Sequence, residues 1–151
     1  MLNLRAPVLA LACFGLFMHG LSAGAADTIG YVRVIQGDAY LVQAGQETKA
    51  ALDTPVTEGS LIRTGAGASL GITFKDNTVM ALGPATEISV DHYLYSPRQG
   101  HFKLDATLNK GTLAYLSGAI AKQNPDGVML KTPTGAIGVR GSHFAIKVDD
   151  Q

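Results

Sequence analysis

Apolar residues recur at every second position along much of this chain, and this alternation constrains the fold more than any other feature. Near the end of the chain, Phe144, Ile146 and Val148 follow this spacing, and in the middle it links Leu70 to Phe74. A period of two is typical of strands that bury one face. No window of about eleven residues or more shows the 3.6-residue period of a helix. We therefore expect an all-β domain.

Short turn motifs separate the alternating runs at intervals of about ten residues. Examples are Gln36-Gly37-Asp38, Lys75-Asp76-Asn77 and Asn109-Lys110-Gly111. Glycine, asparagine and aspartate favour such turns because they tolerate the backbone angles that a tight reversal requires. This spacing is typical of a β-sandwich, a barrel or a β-solenoid, and it does not distinguish between them.

Three glycines recur at every third residue in the last apolar stretch: Gly135, Gly138 and Gly141. Glycine inside a strand pattern marks a bulge, a tight bend or the close approach of another backbone. We therefore expect a structural role for all three, through a positive φ or through close strand packing.

Arg140 lies in the same stretch, next to the apolar Val139. A buried guanidinium needs a partner, because an unpaired one would cost several kcal/mol. We expect Arg140 to be a structural residue that forms a buried pair with an acidic residue such as Asp76 or Asp91. The alternative is that Arg140 is a docking point for the carboxylate of a partner.

Two motifs carry a resemblance to a known family. The stretch 132–144 has the sequence TPTGAIGVRGSHF and resembles the closing motif of the FecR-type periplasmic domain. The stretch 64–78, TGAGASLGITFKDNT, resembles the second marker of that family. The chain departs from the family pattern at Ser142, where threonine is usual, and at Asn77, where glycine is usual. The resemblance covers roughly residues 29–148.

The resemblance implies a fold and a function. FecR-type domains are all-β, with short strands in a twisted, helix-like or solenoid-like stack, and we prefer this arrangement to a β-sandwich. Members carry a signal from an outer-membrane transporter to a cytoplasmic sigma factor, typically in iron uptake, through a cytoplasmic segment and a membrane span. We find neither segment in this sequence and expect a stand-alone FecR-type domain.

The first 25 residues have the pattern of a secretory signal peptide. Arg5 is the only charge before Asp27, and an apolar run leads to an A-x-A motif that ends at Ala25. We expect cleavage after Ala25, which leaves residues 26–151 as the domain, in the periplasm or outside the cell. The apolar run is shorter than the ~20 residues of a membrane span. The alternative is a lipoprotein box that ends at Cys13.

Charge and candidate sites exclude several function classes. Lys and Arg number 12, or 11 without Arg5, against 12 Asp and Glu, so the strongly basic face that nucleic acid requires is not expected. The histidines that follow the leader, His92, His101 and His143, lack the spacing of a metal site. The glycine-rich runs lack the helix and the lysine of a phosphate site. We therefore expect no metal, no cofactor and no enzymatic activity.

Tyr93, Tyr95 and Arg98 belong to an aromatic and arginine-containing loop of the kind enriched at protein interfaces. The alternative is a solvated loop whose tyrosines pack against the sheet. We expect an exported, non-enzymatic domain that binds a protein partner or an envelope component in signalling or sensing. The alternative is a glycan- or peptidoglycan-binding module, although the chain has no tryptophan to stack on a sugar.

Overall fold

The computed structural model describes residues 26–141 and 143–149. The predicted signal peptide, residues 1–25, lies outside the described residues, and so do Cys13 and Ser142. No helix in these two ranges combines the length and the apolar character that crossing a membrane requires.

Most of the described chain is β-strand. The strands are β1 (Thr28–Gln36), β2 (Ala39–Gln43), β3 (Gln46–Lys49), β4 (Pro55–Thr57), β5 (Leu61–Thr64), β6 (Ser69–Phe74), β7 (Val79–Leu82), β8 (Glu87–Ser96), β9 (His101–Leu116), β10 (Val128–Thr132), β11 (Gly135–Gly138) and β12 (His143–Val148). A short helix, α1, spans Ala119–Gln123, and a single 3-10 turn spans Pro125–Gly127. The prediction of an all-β domain is confirmed.

The strands form one curled sheet with the shape of a half-barrel. One half has the order β4-β1-β6-β7-β9-β12, and the other has the order β3-β2-β5-β8-β9-β10-β11. Neighbouring strands are antiparallel, with the exception of β9 and β10. The short strands therefore wind around a common core, as the twisted stack implied by the resemblance requires.

The long strand β9 belongs to both halves of the sheet. Residues 101–110 of this strand pair with β8, whereas residues 111–116 pair with β7 and β12. Gly111 lies where the partners change, and its φ is +91°. Side chains of L-residues rarely tolerate this angle, and a Cβ at Gly111 would also overlap Thr86. Glycine therefore allows β9 to pass from one half of the sheet to the other.

The alternating apolar residues of both halves form a single core. In β6, Leu70, Ile72 and Phe74 are buried, while Ser69 and Thr73 on the opposite face are half-buried. Burial of each aliphatic side chain contributes roughly 1.5–3 kcal/mol. Core residues contributed by the other half include Leu41, Ile62, Ile88, Leu104 and Leu108.

Candidate functional site

Asp76 lies buried in the turn between β6 and β7. One of its carboxylate oxygens accepts hydrogen bonds from the Tyr93 hydroxyl at 3.0 Å and the Thr78 amide at 3.3 Å. The other accepts from the Thr78 hydroxyl at 2.7 Å and from the Ile120 amide of α1 at 3.0 Å. Asp76 therefore connects the β6–β7 turn to β8 and α1, and its lone pairs face the interior of the protein.

Tyr93 is buried and takes part in this interior network. Its ring stacks on Phe74 with 5.5 Å between centroids, and its hydroxyl accepts a hydrogen bond from the Asp76 amide at 3.0 Å while it donates to the carboxylate. Burial raises the pKa of the Tyr93 hydroxyl well above its usual value, and the nearby Asp76 carboxylate adds to this shift. Tyr93 is not available to a partner, so its predicted role in partner binding is wrong.

The remaining members of the predicted binding loop, Tyr95 and Arg98, differ in exposure. Tyr95 is half-buried and packs against Phe102, with 6.1 Å between ring centroids. Arg98 is exposed in the turn between β8 and β9. Tyr93 and Tyr95 both point inward because a bulge between Val90 and His92 shifts the alternation of β8 by one residue.

Arg140 also differs from its prediction, because it lies on the surface. Its side chain is 80% exposed and pairs with Asp126, which is 77% exposed, at 3.0 Å. The neighbouring Val139 takes the inward position and is buried, so the alternation directs Arg140 outward. Asp76 has the partners described above, and Asp91 accepts hydrogen bonds from Ser89 and Thr107. The predicted buried pair with Asp76 or Asp91 is therefore wrong.

The predicted backbone role of the three glycines is not found either. Gly135, Gly138 and Gly141 do not have a positive φ, and an added Cβ at any of them would meet no heavy atom within 4 Å. Their small size is therefore not required by contacts within the described part of the chain.

These glycines accompany an exposed hairpin, formed by β10 and β11, that we call the C-terminal hairpin. In its register Met129 lies beside Gly138, Leu130 beside Ile137, and Lys131 beside Ala136. Leu130 is buried, but Met129 is 40% exposed and Ile137 is 43% exposed. β11 pairs only with β10 among the described strands, so its other edge presents unpaired backbone groups.

Within the described part of the chain, the outer strands of the curled sheet are protected to different degrees. β3 carries Glu47 and Lys49, which form ion pairs with neighbouring side chains. β4 has three residues and begins with Pro55, and β12 carries the exposed Lys147. Charges, proline and short length are the usual protections against the addition of a foreign strand. β11, Gly135–Gly138, has four residues and is also short, but it has neither a charge nor a proline.

The histidines and carboxylates of the described residues do not form a metal site. No group of three or more His, Cys, Asp and Glu side chains there is arranged to hold a metal ion. His92 has its Nδ1 4.0 Å from Glu58, and His101 and His143 are exposed. The exposed Met129 and the partner of Arg140, Asp126, were not among the predicted site residues. Period-two alternation marks Met129 as a strand position, but it does not indicate which strand lies at an edge of the sheet.

Comparison with known proteins agrees with the resemblance of the two motifs. The family described as FecR protein matches residues 60–151, and this range includes both motifs and the C-terminal hairpin. No curated protein and no solved structure matches the chain. Since the family match covers more than half of the sequence, the chain belongs to the FecR family.

Proposed function

We propose that this chain is an exported, non-enzymatic FecR-type domain that binds a protein partner in the cell envelope, and that the partner adds an extended strand to β11. Membership of the FecR family, which is associated with envelope signalling, supports a role in signalling or sensing. In this proposal the domain receives the signal by binding, and its location is the periplasm or the cell surface.

The open edge of β11 is the observation that carries the proposal. An exposed edge strand offers backbone donors and acceptors at strand spacing, and an extended polypeptide matches them. Each backbone hydrogen bond gained contributes about 1 kcal/mol net. The exposed Ile137 and Met129 add apolar surface beside this edge, and their burial would add to the affinity.

Site-specific photo-crosslinking in the source cells tests this proposal. A photoreactive residue at Ala136 in β11 is expected to form a crosslink to one protein, and the change Ile137→Lys is expected to abolish it, because an edge charge opposes strand addition. Leu94→Lys is the matched control, since Leu94 is 46% exposed on a different strand and its change should leave the crosslink intact.

The same experiment separates the two classes of partner. A crosslink to a sugar polymer would favour the glycan-binding alternative. The absence of any crosslink at Ala136, with a crosslink formed from position 94 instead, would contradict binding at β11.

A further inference from the structure

We propose, on the basis of strand addition at β11, that the added segment alternates acidic and apolar side chains. The acidic side chains would face a basic surface that surrounds the C-terminal hairpin, and the apolar side chains would cover Ile137. The charges, the register and the exposure of the hairpin each contribute to this inference.

Two depressions flank the C-terminal hairpin, with volumes of about 310 and 190 Å³. Their charged lining residues are Lys103, Lys122, Lys131 and Arg140, with Asp105 and Asp126. We call the four cations the basic surface. Four cations against two carboxylates leave a local excess of positive charge, whereas the whole chain has equal numbers of basic and acidic residues.

The carboxylates of this region are already paired. Asp105 lies 3.2 Å from the Lys103 ammonium, and Asp126 lies 3.0 Å from the Arg140 guanidinium. Within the described residues, Lys122 and Lys131 have no ion-pair partner of this kind. The excess charge therefore lies on these two lysines, and an acidic segment complements it.

The register places Lys131 within reach of an added strand. Lys131 lies beside Ala136, and Met129 lies beside Gly138, so the residues of β11 on this face are small. A strand added to β11 would lie two strand spacings, about 10 Å, from β10. Long lysine and glutamate side chains bridge such a gap together when only alanine or glycine stands between them. The short side chain of Ala136, which stands between Lys131 and the added strand, therefore leaves room for this ion pair.

The opposite face of β11 calls for apolar side chains. Ile137 lies beside the buried Leu130 and continues the core beyond its edge, but remains 43% exposed. Because side chains of a strand alternate between faces, a segment that covers Ile137 with one residue directs the next towards the basic surface. The segment therefore alternates apolar and acidic residues.

Arg140 offers a second contact at the end of β11. The side chains of Arg140 and Asp126 are both largely exposed. Exposed ion pairs contribute only about 0–1 kcal/mol to stability. A carboxylate from the partner is therefore able to compete for Arg140 in the depression that Lys122 also lines.

Amide shifts in nuclear magnetic resonance spectra test the inference with two blocked peptides. One alternates glutamate with valine, and the other alternates lysine with valine. We expect the glutamate peptide to shift the amides of β11 and to bind more weakly as salt rises.

Lys131→Glu should weaken this binding about tenfold, as expected when an attractive pair becomes a repulsive one. Lys75→Glu is the control, because this exposed lysine lies in the β6–β7 turn and its change alters the net charge equally.

The outcomes separate this inference from the proposed function. If both peptides shift the β11 amides equally, strand addition stands and the acidic preference is wrong. If Lys75→Glu weakens binding as much as Lys131→Glu, the effect is one of net charge and the basic surface is not the contact. If neither peptide affects β11, both the inference and the proposed binding edge are contradicted.

Discussion

The Asp76 carboxylate shows why the electrostatic prediction for Arg140 went wrong. An acidic group in an apolar region needs compensation, but the compensation does not have to be a cation. Here the Tyr93 and Thr78 hydroxyls and two backbone amides supply four hydrogen bonds. The donor from α1 comes from a residue 44 positions away, and spacing in the sequence gives no indication of that contact.

Tyr115 gives a pH-dependent prediction beside this network. Its hydroxyl is buried, has no hydrogen-bond partner within the described residues, and burial raises its pKa to about 12. Below about pH 10, both the folded and the unfolded tyrosine are neutral. As pH rises from about 10 to about 12, the unfolded chain releases this proton first, so the free energy of unfolding falls, by at most about 3 kcal/mol. Tyr115→Phe should make this fall shallower in urea unfolding at a series of pH values.

At pH 7, the free energy of unfolding of Tyr115→Phe is compared with that of a second variant, Tyr93→Phe. Tyr115→Phe removes an unbonded hydroxyl and should change the free energy of unfolding by less than about 1 kcal/mol. Tyr93→Phe is the matched control, because it removes a hydrogen bond to the Asp76 carboxylate and should cost about 1.5–3 kcal/mol. Equal losses at pH 7 would show that the Tyr115 hydroxyl is bonded after all.

Gly111 in β9 and Gly138 in β11 have opposite environments, and substitution by alanine should therefore have opposite effects on stability. Gly111 has a positive φ and no room for a Cβ, so Gly111→Ala should destabilise the domain by about 2 kcal/mol or more. Gly138 has an open environment and no positive φ, so Gly138→Ala should stabilise it by about 0.4–1 kcal/mol through the unfolded state. Thermal unfolding of both variants checks the two signs. A loss at Gly138 as large as that at Gly111 would restore the backbone role predicted from sequence.

Alternation predicts individual strands well, and it fails where a strand changes its register. Ile88 and Val90 point inward at a spacing of two, but the bulge before His92 turns Tyr93 and Tyr95 inward as well. A bulge inserts one residue without changing the composition of the strand, so the sequence pattern does not show it. The predicted binding role of Tyr93 was wrong for that reason.

The order of the strands is the part of the fold that the sequence did not provide. Turns predict which strands follow each other, whereas β9 pairs with strands on both sides that lie far away in the sequence, from Val79 to Val148. Edges are a consequence of that order. The exposed hairpin and its Ile137 therefore emerge only when the whole sheet is assembled.

The sheet also extends beyond the part of the chain that the family match covers. The match begins at residue 60, but β1 pairs with both β4 and β6, and Val32, Leu41 and Val56 of the earlier strands are fully buried. A fragment of residues 60–151 would expose the apolar face that these side chains cover. The burial of the three side chains contributes more than roughly 4 kcal/mol to the free energy of unfolding. This is a large part of the stability of a small domain. We expect residues 26–151 to show a cooperative thermal transition by circular dichroism and residues 60–151 to show none. A sharp transition in the shorter fragment would contradict this expectation and would mean that residues 60–151 form a complete core without the N-terminal strands.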